Sequence, residues 1–315
     1  MMQKKVLIIG AAGFVGSYLI RQAQSLDWRV AATKMPFEKM EVSGTDIFDL
    51  DIMDPDAISA LLKKVRPDYI FHLAAQSSVS VSWKKPDLTV DVNIKGSIHV
   101  LNAIKELDYK PRVLLIGSGE EYGHVRTEDI PIKEDTLPRP GNLYAATKNC
   151  QNLIGKIYAD GFGMDIMSTR SFNHIGPNQA PLFVVPDFCK QVAEIEKSDA
   201  PSGIIHVGNL SAKRDFTDVR DVVRAYCLLM ERGKAGETYN VGSGTAVTIQ
   251  SILDLIVGMA KKPIRVVVDP GKLRPVDVPI IEADISKLAA CTGWKKEIPI
   301  KQTIRETLDR WRAEI

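Results

Sequence analysis

Short apolar runs alternate with stretches of helical spacing along the first half of the chain. Val6–Ile9, Arg29–Thr33, Thr45–Asp49 (weaker), Tyr69–Leu73, Val113–Gly117 and Met164–Thr169 predict six strands. Phe14–Leu26, Ala57–Lys64, Pro86–Leu107 and Leu143–Tyr158 have apolar positions three and four apart and predict helices between them. Asp54-Pro55 is a start signal for the second of these, a capping carboxylate followed by a proline at the first helical position. The alternation predicts an α/β fold, a Rossmann-type parallel sheet with helices on both faces. Past residue 172 the pattern loosens around prolines 177, 181 and 186. Helices near 187–196, 218–231, 248–260, 284–290 and 300–313, with short strands between, predict a smaller mixed α/β C-terminal lobe. The expected division is 1–172 and 173–315, with some later elements returning to the first sheet.

Composition narrows the partners. The 315 residues carry 41 Lys+Arg against 39 Asp+Glu, a net of +2, with 45% hydrophobic and 25% charged residues. Such a chain buries a large core, and disorder or coiled coil is excluded. Near-neutral charge argues against nucleic acid or a membrane surface as partner, and no apolar run nears the ~18 residues of a spanning helix. Cys150, Cys189, Cys227 and Cys291 are far apart, which predicts free thiols and a reducing cytoplasm and leaves no metal-ligand spacing.

Three motifs carry chemistry. Gly10-Ala-Ala-Gly13-Phe14-Val15-Gly16 follows the first strand and opens the first helix. Glycines there allow a tight turn and close backbone approach, and the helix start aims unpaired N–H groups at a pyrophosphate. The second strand ends Thr33-Lys34 without the acid that would receive an NAD ribose 2′-hydroxyl. Lys34 is either the receiver of a 2′-phosphate, which favours NADP(H) over NAD(H), or a solvated surface lysine. Asp51-Ile52 is placed to meet an adenine edge. Tyr144-Ala-Ala-Thr-Lys148 puts a phenol and an ammonium on one helix face. The ammonium is expected to lower the tyrosine's pKa and make it a proton donor or acceptor at neutral pH; alone, the pair reads equally as a half-buried ring and a surface lysine. Ser118 closes the fifth strand, followed by Gly119 and Glu120, at the sheet edge where ligands bind.

Glycine turn, strand-end serine and Tyr-x-x-x-Lys, in that order, resemble the extended short-chain dehydrogenase/reductases that act on nucleotide sugars. Further matching segments are His72-Leu73-Ala74-Ala75, Asn93 in VDVNIKG, Arg170-Ser-Phe-Asn173-His174, Gly208-Asn209, Arg214-Asp-Phe-Thr-Asp218, Arg274-Pro-Val-Asp277 and Gly293-Trp294. Residues 73–93 are similar to GDP-mannose dehydratases and their partner reductases. The resemblance implies a dinucleotide-binding first lobe and a nucleotide-sugar second lobe. It implies cofactor contacts at Leu73, Ala74, Ala75, Asn93 and His174 besides the glycine turn, Tyr144 and Lys148. It implies a GDP-sugar substrate held by Asn173, Asn209, Arg214, Arg274 and Asp277, with Val185 and Lys190 lining a guanine pocket and Ser77 and Ser82 touching the sugar. A homodimer through a four-helix interface, involving Ile98, Leu101 and Ile104 or leaving these to the sheet, also follows from it.

The related dehydratases read Thr-Ser-Glu or Thr-Asp-Glu where this chain has Ser118-Gly119-Glu120. A glycine offers nothing to help a C6 hydroxyl leave. The expected reaction is therefore NAD(P)H-dependent reduction of the C4 ketone of GDP-4-keto-6-deoxy-D-mannose to GDP-D-rhamnose. Ser118, Tyr144 and Lys148 would be catalytic, with Glu120 a dehydratase remnant or a sugar ligand. The alternatives are a 4,6-dehydratase, then a nucleotide-sugar 4-epimerase.

Overall fold

The computed structural model describes residues 3–273 and 278–315; Arg274 and Asp277 lie outside them. Strands β1 (Lys5–Ile9), β2 (Arg29–Lys34), β3 (Thr45–Asp49), β4 (Tyr69–His72), β5 (Arg112–Ser118) and β6 (Ile166–Ser171) lie in one sheet. The others are β7 (Asn173–Ile175), β8 (Gly203–Val207), β9 (Lys213–Asp218), β10 (Thr238–Val241), β11 (Ala246–Thr248), β12 (Ile264–Val268) and β13 (Ile280–Ile281). The large sheet has the order β10-β6-β5-β4-β1-β2-β3, with every pairing parallel. Parallel strands need crossovers, so both faces are covered and alternate side chains enter two cores. Val6 and Ile8 of β1 join the core under α1 (Phe14–Ser25), and Leu7 and Ile9 join the core under α2 (Pro55–Val65).

The helix expected over Pro86–Leu107 is built in pieces. After a short preceding helix α3 (Val79–Lys84), it runs as α4 (Pro86–Val90), a π turn at Asp91–Lys95 and α5 (Gly96–Lys105). A π turn inserts an extra residue and re-aims the side chains on it. Here it turns Asn93 wholly into the protein, and Gly96 follows because a Cβ would fall 2.5 Å from Ile52 Cδ1.

The catalytic-motif helix is α6 (Leu143–Phe162), capped by Asn142. Helix α7 (Val184–Lys197) starts earlier than proline placement suggested, because Pro186 lies in its first turn, where no intrahelical N–H is needed. Three further helices, α8 (Val219–Arg232), α9 (Ile249–Val257) and α10 (Ser286–Thr292), precede the last, α11 (Ile300–Glu314). Strand β10 extends the large sheet, and α8 packs on α1 with Trp294 buried beside it, so late residues complete the first core. The remaining lobe joins β7, β9, β11 and β13, with β8 paired to β12, around a core from α7, α9 and α11.

Candidate active site

The carboxyl ends of the parallel strands gather the motifs. Gly10 sits at φ +83, and a Cβ on it would lie 2.5 Å from the Ala74 backbone, so only glycine lets β1 turn against the end of β4. Thr33 holds this turn, accepting from Gly10 N at 2.9 Å through its hydroxyl and from Ala11 N at 2.7 Å through its carbonyl. The glycine pattern gave no sign of Thr33. Gly16 is pressed onto Ala11, whose oxygen would be 2.0 Å from a Cβ. Gly13 differs: a Cβ would meet nothing within 4 Å, and as N-cap of α1 it supplies no side-chain hydrogen bond. Open space beside unpaired N–H groups at a helix start suits a dinucleotide pyrophosphate. Phe14 stacks on His174 with ring centroids 6.0 Å apart, which brings β7 beside the turn. Val15 packs against the core under α1.

The other predicted cofactor residues divide. Leu73, Ala74 and Ala75 remain part-exposed after β4. Asp51 is part-exposed and accepts from Met53 N at 2.9 Å, whereas Ile52 is buried in the core, so its side chain does not meet an adenine. Lys34 is ion-paired with Asp49. Asn93 does not face a cofactor directly: its amide is occupied by Gln76 N (2.8 Å), Gln76 O (3.1 Å) and Thr147 Oγ1 (2.9 Å). It fastens the segment after β4 to α6.

Ser118 ends β5, and Tyr144 lies on the first turn of α6, part-exposed, with its phenol near enough to the Ser118 hydroxyl to feel it. The expected lowering of the tyrosine does not occur. Burial pushes the phenol up, the Ser118 hydroxyl partly offsets this, and Glu120 and Glu121 push it further. Lys148 donates to Ile116 O at 2.7 Å and to Gln151 Oε1 at 3.0 Å, so one of its three donors is left for a ligand. Burial lowers Lys148 to about 8, and Glu121 pulls it back. Gln151 in turn donates to Ser97 Oγ at 3.1 Å. Ser97 gives its proton to Asn93 O, so His72 Nε2, 3.0 Å away, must be the donor in that contact. Burial, then Lys148, lower His72 to about 3, and it stays neutral. A phenol that holds its proton beside a serine hydroxyl can donate to a developing alkoxide.

Glu120 accepts from Asn142 Nδ2 at 3.2 Å, a link from the serine turn to the cap of the tyrosine helix. Gly119 lies against Phe172, where a Cβ would be 3.1 Å from the ring.

The substrate-side residues also divide. Asn173 is part-exposed at the start of β7, while Arg214 is buried and donates to Lys213 O and Val278 O. Ser77 is exposed, and Asn209 accepts from Ser211. Ser82 is fully buried, its hydroxyl given to Val79 O, and Val185 is fully buried in the second-lobe core. Neither side chain is open to a ligand. Lys190 lies over Trp311 and near Glu194. Among the described residues no cluster of metal-ligating side chains occurs and no helix is long and apolar enough to cross a membrane.

A parallel sheet with a glycine turn, a strand-end serine and a Tyr-x-x-x-Lys helix defines an enzyme of the extended short-chain dehydrogenase/reductase class. The chain matches the family model described as GDP-mannose 4,6 dehydratase over residues 7–307, and it belongs to that family. It is 32% identical to the GDP-6-deoxy-D-mannose reductase of Pseudomonas aeruginosa over 100% of this chain and 99% of that one. It is 26% identical to a GDP-mannose 4,6-dehydratase of Yersinia enterocolitica over 96% of this chain and 92% of the relative. Among solved structures it is similar to that of RMD from Pseudomonas aeruginosa complexed with NADPH. There the TM-score is 0.87 and the identity 30%, over 99% of this chain and 100% of that one.

Proposed function

We propose that this enzyme reduces the C4 ketone of GDP-4-keto-6-deoxy-D-mannose to GDP-D-rhamnose, with NADP(H) favoured and NAD(H) possible. Gly119 carries the reading. Between Ser118 and Glu120 stands a residue with no acid or hydroxyl, closed in by Phe172, so this position offers no group to assist departure of a C6 oxygen. Full-length similarity to a GDP-6-deoxy-D-mannose reductase supports it. A bound nicotinamide dinucleotide supplies the hydride; Gly10, Gly13, Gly16 and Lys148 would hold it. The similar structure complexed with NADPH supports NADP(H), and a 2′-phosphate would draw Lys34 away from Asp49. As C4 is reduced, its π electrons pass to O4, Ser118 bonds that oxygen, and Tyr144 gives it the phenolic proton. Asn173 and Arg214 would meet the sugar nucleotide. Four free cysteines support a reducing compartment, the cytoplasm.

The deciding assay follows NADPH and NADH oxidation with GDP-4-keto-6-deoxymannose, with GDP-mannose alone as control. Stoichiometric oxidation with the keto sugar and none with GDP-mannose is the expected result. Conversion of GDP-mannose without added NADPH would replace the reading by dehydration, which the surviving Glu120 on Asn142 favours.

A homodimer belongs to the same reading. Leu153 and Ile157, one turn apart on α6, are 55% and 62% exposed, an apolar patch on a helix otherwise packed against the sheet. Leu101 and Ile104 are buried in the core instead, because their face of α5 meets the sheet and α2. Sedimentation velocity should give twice the chain mass, and Leu153→Lys with Ile157→Lys should return the monomer; a parent sedimenting as a monomer would end this part of the reading.

A further inference from the structure

Beneath the catalytic serine lies a second carboxylate that motif reading does not single out. Glu121 has no exposed surface. One oxygen accepts from Ser118 N at 2.8 Å. The other accepts from Arg170 Nε at 3.0 Å and Asn152 Nδ2 at 3.2 Å. Burial raises the Glu121 carboxyl above the usual carboxylate range, and Arg170, Ser118 N and Asn152 oppose that shift; every one of these partners donates, which favours the carboxylate form. The sequence is shaped around it. A Cβ at Gly117 would lie 2.4 Å from Glu121 Oε1, and glycine there lets the carboxylate cross the strand end. Arg170, opposite Gly117 in the β5–β6 register, is itself fixed, lying 4.6 Å over the Tyr122 ring and donating to Glu134 O at 3.0 Å.

We propose that Glu121 is a positioning residue of the reaction. Its buried carboxylate, braced by Arg170, clamps the backbone that carries Ser118 and supplies negative charge beneath the Tyr144–Lys148 pair. The inference rests on the reductase reading for its activity measurements only. Three elements meet at this one group: β5 through Ser118, β6 through Arg170, and α6 through Asn152, one turn beyond Lys148. A planar, bidentate-capable guanidinium is suited to hold a buried carboxylate in one orientation. Acidic and basic groups face the pair from every side: Glu120 and Tyr122 on the turn itself, Arg170 from β6, His72 from β4, Tyr226 from α8, and Glu134 through Arg170. Glu121 bears on both members: it pulls Lys148 back up against burial, and behind burial and Glu120 it adds to the raising of Tyr144.

Two variants separate the clamp from the charge. Glu121→Gln keeps an acceptor for Ser118 N but removes the charge, and Glu121→Asp keeps the charge but withdraws it by one methylene. Lys148 is followed by NMR of isotope-labelled lysine side chains, its signal assigned by loss in Lys148→Met. In the parent it should titrate at about 8. In E121Q it should bind its proton about 10-fold more weakly, and the alkaline limb of kcat should move down with it. In E121D the titration should stay and kcat should fall by up to about 10²-fold with KM little changed, because a misplacement near 1 Å can cost that much. A Lys148 titration unmoved in E121Q, or parental kcat in E121D, overturns the proposal, as does a lowered melting temperature with both quantities intact. If E121Q fails to fold around an unpaired Arg170, E121Q with Arg170→Gln removes both charges, and the same shift is required of it. A parent that shows the Lys148 behaviour but does not oxidise NADPH with the keto sugar refutes the substrate reading and leaves Glu121 in its role.

Discussion

Tyr144→Phe should lower kcat by roughly 10²–10⁴ and leave KM for the sugar nucleotide nearly unchanged. The structure makes the loss specific to proton donation. The ring is packed at the first turn of α6, and phenylalanine fills the same place. The phenol's acidity is suppressed by burial and by Glu120 and Glu121, so its proton stays on until charge appears on O4. Steady-state oxidation of NADPH with the keto sugar, with binding measured separately, checks both halves. Turnover within about threefold of the parent would remove Tyr144 as the acid, and a matching rise in KM would make it a binding group instead.

Arg170→Met should be the most damaging single change to stability. It leaves Glu121 in the protein interior without its counter-charge, and breaking a buried pair from one side costs about 3–5 kcal/mol. At about 1.5 °C per kcal/mol for a chain of this size, the melting temperature should drop by about 5–8 °C. The Tyr122 ring also loses the cation above it. Calorimetry of the parent and of Arg170→Met gives the number directly. A drop of a degree or two would mean that water or a rearranged side chain already satisfies the carboxylate.

What could be read from the sequence was what local pattern encodes. Strand periodicity and the Gly10–Gly16 turn place the sheet and its ligand edge, since a glycine at φ +83 and a helix start leave their mark within a few residues. Ser118, Tyr144 and Lys148 are legible for the same reason. The supporting groups are not, because their partners are distant along the chain. Thr33 meets Gly10, Asn93 meets Thr147, and Glu121 meets Arg170, 49 residues away. The pKa of Tyr144 went the other way for that reason: helical spacing puts Lys148 nearby, but the tertiary fold gives its ammonium to Ile116 and Gln151 and surrounds the phenol with carboxylates. Ser82 and Val185 were misplaced because burial, which spacing does not report, decides whether a side chain can touch a ligand.

The return of β10 to the large sheet, with α8 laid over α1, has a bearing on biosynthesis. A nascent polypeptide that has emerged only as far as β6 leaves that strand as an unpaired border and the α1 side uncovered. The nucleotide half therefore closes only after the segment through Trp294 has left the ribosome, and a proteolytic fragment ending near residue 172 would expose apolar surface in place of an independent module.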